Sequence, residues 1–227
     1  MSEAVLETVQ APEAQRAAVR SRAFALFAEA ARFPDPELLA AIRSGAVARA
    51  LEATLEEVDP ALSAGVAWET LADAGPEGED EDLAVEHTRL FEVGTSGPPC
   101  ALYGGLYGDA RMKTMEEAVR FYNHFGLTLA EDPRELPDHL ETELEFLHYL
   151  AFREAEAAEA RADAGPYQRA QRDFVERHPG RWVPKLVQRL EGAKARPYYA
   201  TLFALLARFL AHEAATLRAI AGAPPAS

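Results

Sequence analysis

Apolar residues recur at helical spacing along most of the chain, and no segment alternates between apolar and polar residues for long enough to predict a strand. The first clear helical pattern covers residues 14–32 and places these side chains on one face: Val19, Ala23, Leu26, Phe27 and Ala30. Alanine is abundant, whereas the β-branched residues that lose rotamer freedom in helices are sparse. The pattern predicts an all-α protein.

Prolines, glycines and capping residues set the predicted helix boundaries. Pro34 and Pro36 end the first helix, and Asp35 is expected to cap the second. The remaining helices are predicted at about 36–51 (with a weak point at Gly45), 60–72, 80–91, 114–125, 137–162, 167–177, 182–190 and 197–220. We therefore expect residues 1–227 to form a single compact helical bundle of about nine helices, with a hinge near residues 75–79 and flexible ends of about twelve and six residues.

The charge balance narrows the choice of partner. The chain has 227 residues, with 23 Lys and Arg against 37 Asp and Glu, a net charge of −14. Such a field repels phosphate backbones and attracts a basic peptide, so we expect no nucleic-acid partner. Acid is concentrated in residues 77–82 and base in residues 161–196, which most simply predicts two solvated faces of opposite sign.

Several features indicate a cytoplasmic protein. Cys100, the single cysteine, lacks a partner for an internal disulfide, in keeping with a reducing compartment. The acidic N-terminus does not resemble a signal peptide. The most apolar stretch, residues 198–207, stops at Arg208 and is short of the ~20 residues a membrane span requires, so no stable membrane insertion is expected.

Enzyme motifs are incomplete. Glu145 and His148 form one Glu-x-x-His unit, but a di-iron bundle needs two, so we interpret them as an exposed pair on the polar side of a helix. The histidines do not fall in a zinc-protease pattern, and the glycines of residues 94–108 do not form a phosphate-binding loop. We expect no catalytic residues, no metal and no cofactor.

Two segments invite a binding role. The loop Gly97-Pro98-Pro99-Cys100-Ala101-Leu102-Tyr103-Gly104-Gly105-Leu106-Tyr107 combines a rigid diproline, a flexible diglycine and apolar side chains. It is either a connector that packs on the bundle or part of a peptide-binding groove. Further along, Asp138 is expected to cap a helix in which His139 and Glu143 share a face. His178 and Trp182 flank a helix-breaking corner that is typical of core packing.

These motifs together resemble the TorD/DmsD/NarJ family of redox-enzyme maturation chaperones. The matching pieces, in order, are Glu86-His87-Thr88-Arg89-Leu90-Phe91, the Pro-rich loop ending at Tyr107, Pro137-Asp138-His139-Leu140-x-x-Glu143-Leu144-x-Phe146-Leu147, and Phe174-x-x-x-His178-x-x-x-Trp182-x-Pro184. The family often has Tyr at the position of His87, and its loop commonly reads Pro-Pro-Tyr-Glu-Ser-x-Tyr. The loop found here is more similar to the branch that serves type II DMSO-reductase-like enzymes.

The resemblance implies a cytosolic, system-specific chaperone. It would bind the twin-arginine leader and the apo form of a molybdoenzyme catalytic subunit, assist molybdenum cofactor insertion and delay export, as a monomer or homodimer. The predicted peptide-binding residues are Pro137, Asp138, His139, Glu143, Leu90, Phe91, Tyr107, His178 and Trp182. Two alternatives stay open: a helical metal- or nucleotide-binding enzyme, and a generic helical adaptor.

Overall fold

The computed structural model describes residues 9–75, 83–95, 97–108, 110–128 and 136–221. Its helices are α1 (Pro12–Ala31), α2 (Pro36–Arg43), α3 (Ala46–Val58), the single turn α4 (Pro60–Ser63), α5 (Leu83–His87), α6 (Arg111–His124), α7 (Leu140–Glu159), α8 (Gly165–Arg177), α9 (Pro179–Gly192) and α10 (Pro197–Ala221). Within these ranges only two isolated bridges depart from helix, turn and loop. Setting α4 aside, the described residues form nine helices, which confirms the predicted all-α fold.

The core is built around α1, α7 and α10. Helix α1 lies along α7 and also packs on α3, while α10 packs across α8 and α9. Phe24 and Phe27 of α1 contact Phe209 of α10, with ring centroids 4.9 and 5.5 Å apart. All three rings are fully buried, and each contributes about 1.5–3 kcal/mol through the area it removes from water. That the chain forms a single domain stays a prediction. Of the hinge predicted at residues 75–79, only Gly75 is among the described residues.

A buried polar network joins four helices at one point. Arg20 of α1 donates to Glu213 of α10 (Nε to Oε2, 2.7 Å), to Glu154 of α7 (Nη1 to Oε2, 3.0 Å) and to Gln171 of α8 (Nη2 to Oε1, 2.7 Å). Gln171 in turn donates to Glu154 at 2.8 Å. Buried charges are tolerated only when they are paired and hydrogen-bonded, so this network fixes how the four helices sit against one another.

Glycine conformation accounts for two wrong helix boundaries. The segment 36–51 is two helices rather than one, because Gly45 adopts a left-handed conformation (φ +72°) between α2 and α3. The predicted helix 60–72 is also wrong. It consists of the turn α4, a left-handed Gly65 (φ +71°) and a 3-10 helix at Trp68–Ala72.

The interpretation of His148 as an exposed residue is wrong as well. Its Nδ1 lies 2.8 Å from the hydroxyl of Ser21, and the same hydroxyl donates to the His148 carbonyl at 3.0 Å. His148 is half-buried and joins α7 to α1. Glu145, three residues earlier, is exposed.

Helix α10 (Pro197–Ala221) agrees with the helix predicted at 197–220, and its apolar composition extends past Arg208. Among the described residues it is the one helix with the length and apolar composition to cross a membrane. Its Tyr199 and Phe203 are nevertheless fully buried against other helices. The Arg208 guanidinium donates to the carbonyl of Leu62 at 2.8 Å. These contacts are those of a core helix.

Candidate functional site

An open groove of about 800 Å³ lies between the α1–α2 connection, the end of α5, the loop at Leu102 and Tyr103, the end of α6 and the first turns of α7. Six aromatic side chains line it: Phe33, Phe91, Tyr103, Tyr122, Phe146 and Tyr149. Aromatic rings in a concave site provide apolar area together with polar edges. The groove is therefore suited to an apolar segment that carries some polar groups.

The aromatic side chains of the groove differ in how deeply they are buried and how closely they are packed. Phe91 is buried and packs edge-on against Tyr199 of α10, with ring centroids 5.1 Å apart. Tyr122 and Phe146 pack together at 4.8 Å. Phe33 instead stands at the groove edge and is 47% exposed. A rigid floor and an exposed apolar edge leave room for a ligand that covers Phe33.

The groove is acidic. Four carboxylates line it, those of Asp35, Glu92, Glu141 and Glu145, against a single guanidinium, that of Arg32. Arg32 is already bonded to Asp35 at 2.6 Å and to Glu29 at 2.7 Å. Two hydrogen bonds to the Asp35 carboxylate lower its pKa. The larger effect comes from the backbone N–H of Leu38 and the smaller one from the Arg32 guanidinium. The site therefore attracts cationic groups at neutral pH.

Two imidazoles lie at the base of the groove. Burial lowers the pKa of His87, although Glu92, whose Oε1 lies 3.3 Å from the His87 Nδ1, acts in the opposite direction. The His87 ring meets Phe33 and Phe91 edge-on. His139 packs against Tyr103, with ring centroids 4.9 Å apart. Both rings combine apolar contact with hydrogen-bonding nitrogens.

A change of helix type lies between His87 and Phe91, which both line the groove. Helix α5 ends at His87 and continues as a π-helical turn, Thr88–Glu92. Such turns frequently mark functional sites because they shift the side chains relative to a regular helix. The carbonyl of Leu90 accepts a hydrogen bond from the backbone N–H of Cys100 at 2.9 Å. This bond ties the Pro-rich loop to the turn.

Behind the loop lies a buried polar cluster, formed by Asp138, Glu143, His178 and Trp182. Trp182 Nε1 donates to Glu143 Oε2 at 2.8 Å, and His178 Nδ1 lies 3.5 Å from Glu143 Oε1. None of the four side chains is more than 3% exposed. Burial raises the pKa of Glu143, although His178 and Trp182 act in the opposite direction.

The expected capping role of Asp138 is wrong. Helix α7 begins at Leu140 with His139 as its N-cap residue, and no side chain caps it. Asp138 Oδ2 instead accepts from the backbone N–H of Gly105 at 2.9 Å, and its carbonyl accepts from Gly104 at 2.8 Å. Asp138 therefore holds the loop and not the helix end.

The diglycine is needed for close approach. A Cβ atom on Gly104 would lie 2.7 Å from Trp182 Nε1, and one on Gly105 would lie 2.8 Å from Asp138 Oδ2. Both distances are shorter than real contacts allow. The expected flexibility is thus wrong, since the pair seals the loop onto the buried polar cluster. Leu102 and Tyr107 are also buried, as expected of a connector that packs on the bundle.

The predicted peptide-binding residues separate into two groups. Phe91 and His139 line the groove, and the carbonyl of Pro137 accepts from the hydroxyl of the groove residue Tyr122 at 2.7 Å. The other six are buried outside the lining: Leu90, Tyr107, Asp138, Glu143, His178 and Trp182. Tyr107 stacks on Trp182 at 5.2 Å. A direct contact between these nine residues and a peptide stays a prediction.

Sequence reasoning missed most of the groove edge. Phe33 had a detectable signal, since it is an apolar residue directly before Pro34. Glu141 and Glu145 are spaced by four residues, which places both on one face of α7. Within the described ranges, no group of three or more His, Cys, Asp or Glu side chains is placed to hold a metal ion.

Comparison with known proteins identifies the family. The model of the nitrate reductase delta subunit family matches residues 48–188. A selenate reductase assembly chaperone from Thauera selenatis is 41% identical over 130 residues, which cover 55% of this chain and 67% of that protein. A perchlorate reductase assembly chaperone from Dechloromonas aromatica is 31% identical over 210 residues, 92% of each chain.

A solved structure agrees in fold. A chain from Archaeoglobus fulgidus, described as a redox enzyme maturation protein, is similar with a TM-score of 0.50 and 23% identity, over 84% of this chain and 93% of that one. The curated relatives are named as chaperones and not as enzymes, in agreement with the prediction that the chain is not an enzyme. The chain therefore belongs to the nitrate reductase delta subunit family, the TorD/NarJ group of system-specific maturation chaperones.

Proposed function

We propose that the chain is a cytoplasmic chaperone that binds the twin-arginine leader of a molybdoenzyme catalytic subunit in its aromatic, acidic groove. It holds the client in the apo form until the molybdenum cofactor is inserted, and so delays export. The names of relatives that assist selenate and perchlorate reductases support a client of the type II DMSO-reductase-like class.

The proposal rests on the groove, which combines negative charge with an apolar surface, as a leader combines arginines with an apolar segment. Glu92, Glu141 and Glu145, the three carboxylates other than the Arg32-bonded Asp35, complement a pair of arginines, and the aromatic floor complements the apolar segment that follows them. Glu141 and Glu145 flank the groove on α7, while Phe33 extends its apolar edge. The arginines are therefore assigned to the α7 side and the apolar segment to Phe33 and Phe91.

The buried polar cluster has a supporting role in this proposal. Asp138 bonds the loop backbone, and Glu143 fixes the indole of Trp182, on which Tyr107 stacks. The loop in turn presents Tyr103 to the groove. The cluster therefore shapes the groove, and client contact is assigned to His139 and the side chains at the groove surface.

The test is fluorescence anisotropy with a labelled peptide of two consecutive arginines followed by an apolar stretch. We expect Phe33→Ser and Glu145→Lys each to weaken binding about tenfold, which corresponds to roughly 1.4 kcal/mol. Matched controls are Ile220→Ser, which removes an apolar side chain of similar exposure, and Glu56→Lys, which makes the same charge change on α3.

The controls are expected to bind within about twofold of the wild type, since they change only remote surface. Groove variants that retain wild-type affinity while circular dichroism shows them folded would rule out this site. A peptide of scrambled order that binds as well as the leader would favour the generic adaptor.

A further inference from the structure

Four cations that form no ion pair with a described carboxylate lie at the outer side of the Pro-rich loop. Lys185 Nζ donates to the carbonyl of Tyr107 at 2.8 Å, and Arg189 donates to the carbonyl of Leu106 at 3.3 Å. Arg181 precedes Lys185 by one turn, so three cations lie at i, i+4 and i+8 along the exposed face of α9. Together with Arg111 they form what we call the cationic face.

Arg111 joins this group from α6. A Cβ atom on Gly105 would lie 2.7 Å from Arg111 Cγ, so the arginine stem packs directly against the loop. Leu106, at the centre of the group, is 38% exposed. The cationic face is therefore a surface of mixed charge and apolar area, with the loop as its middle.

The lack of carboxylate partners is unexpected in a chain with net charge −14. Some exposed arginines elsewhere, such as Arg22 and Arg218, form ion pairs with glutamates, whereas Arg49 bonds a backbone carbonyl. Within the described part of the chain, none of the four cations of the cationic face forms such an ion pair. The cationic face differs in grouping four such cations around one loop. Because no described carboxylate pairs with these cations, their positive charge is available to a partner.

The shape and charge of the surface select the kind of partner. None of the four cations lines the aromatic groove or the cleft between α1 and α3, whereas small-molecule sites are concave. Nucleic acid is disfavoured by the charge of the whole chain. An acidic polypeptide segment with apolar residues satisfies both the cations and Leu106.

We infer that the cationic face binds an acidic amphipathic segment of the client body, separate from the leader. This inference rests on the proposed function for the identity of the partner but uses a different surface. Two sites of opposite charge on either side of one loop would let the chaperone hold the leader and the body at once. Each site then raises the effective concentration of the other's ligand.

The test uses two peptide probes and two matched double variants. The first probe is a helical peptide with glutamates on one face and leucines on the other, and its control has glutamine in place of glutamate. The face variant is Arg111→Glu with Arg181→Glu. The matched variant, Arg16→Glu with Arg49→Glu, makes the same charge change at exposed positions of α1 and α3.

We expect the wild type to prefer the glutamate peptide and the face variant to bind it about tenfold more weakly, with the matched variant within about twofold. Equal weakening in both variants would show a general charge effect and overturn the inference. Equal binding of both peptides to the wild type would also overturn it. Displacement by inorganic phosphate at constant ionic strength would indicate a small-anion site instead.

The second probe, the twin-arginine peptide, separates this inference from the proposed function. The face variant is expected to bind it at least as well as the wild type, while Phe33→Ser weakens it and leaves the glutamate peptide unaffected. If only the glutamate peptide does not bind as expected, the cationic face is rejected as a binding site. If only the twin-arginine peptide does not bind as expected, the groove is rejected as the leader site.

Discussion

At the scale of single residues, Gly104 lies at a position where there is no room for a side chain. Its Cα faces the indole of Trp182, which cannot move because Nε1 is bonded to buried Glu143. A larger residue has to push the loop away from the cluster or break that bond. The diglycine that departs from the common family loop is thus explained by packing.

The Gly104→Ala variant tests this explanation. We expect it to lower the free energy of unfolding by about 1–3 kcal/mol, because overpacking against a fixed ring forces the backbone to shift. Denaturant titration followed by circular dichroism measures the change. Gly108→Ala is the control, since Gly108 has extended backbone and open space around its Cα. An equal loss in both variants would contradict the role assigned to Gly104.

At the scale of helices, Arg20 determines how four of them meet. It lies one turn after Arg16 on α1, yet Arg16 forms an exposed pair with Glu13 while Arg20 contacts α7, α8 and α10. Both residues have the same chemistry and similar neighbours in sequence. They lie four residues apart and so on the same side of α1, and they differ only in position along the helix, since Arg20 lies where α7, α8 and α10 meet it. The apolar pattern of α1 therefore gave no sign of the network.

Replacing Arg20 by Met is expected to destabilise the protein by about 3–5 kcal/mol, since two buried carboxylates then lack their cation. The measurement is urea-induced unfolding at neutral pH. Arg16→Met, the matched change one turn earlier, is expected to cost less than about 1 kcal/mol, as for other exposed pairs. Similar losses for the two variants would mean that the buried network does not hold the helices together.

At the scale of the whole molecule, one loop contributes to two surfaces of opposite charge. Its Leu102 and Tyr103 line the acidic groove, and the carbonyls of Leu106 and Tyr107 accept hydrogen bonds from the cationic face. The loop itself is held by the buried polar cluster and by the backbone N–H of Cys100. On the proposed function, these two surfaces of opposite sign would distinguish the leader from the body of the client by charge.

The net charge predicts a strong effect of salt on encounter with the leader. Raising the ionic strength from about 0.01 to 0.5 M is expected to slow association of the twin-arginine peptide by roughly tenfold or more, because screening removes long-range steering. Stopped-flow fluorescence gives the rate. A peptide with glutamine in place of arginine provides the control, and its association rate is expected to depend little on salt. An arginine peptide whose rate is no more sensitive to salt than this control would contradict electrostatic steering.

The amino-acid sequence by itself determined the features that depend on neighbouring residues. The side chain of Asp35 accepts from the backbone N–H of Leu38 at 2.9 Å, as expected of the cap of α2. Gly126 adopts the predicted left-handed conformation (φ +74°) after α6. Caps and special backbone conformations act within a few residues, so their signals are readable along the chain. The ordered motifs also identified the family.

Only the tertiary structure decided which of the singled-out residues reach a surface. Asp138 has the sequence signature of a helix cap but bonds the loop, because Gly105 is brought within 2.9 Å of its carboxylate. The groove joins Phe33, Phe91 and Tyr149, which are far apart in sequence. Burial and close approach depend on contacts between distant segments, and local patterns do not encode the distances between those segments.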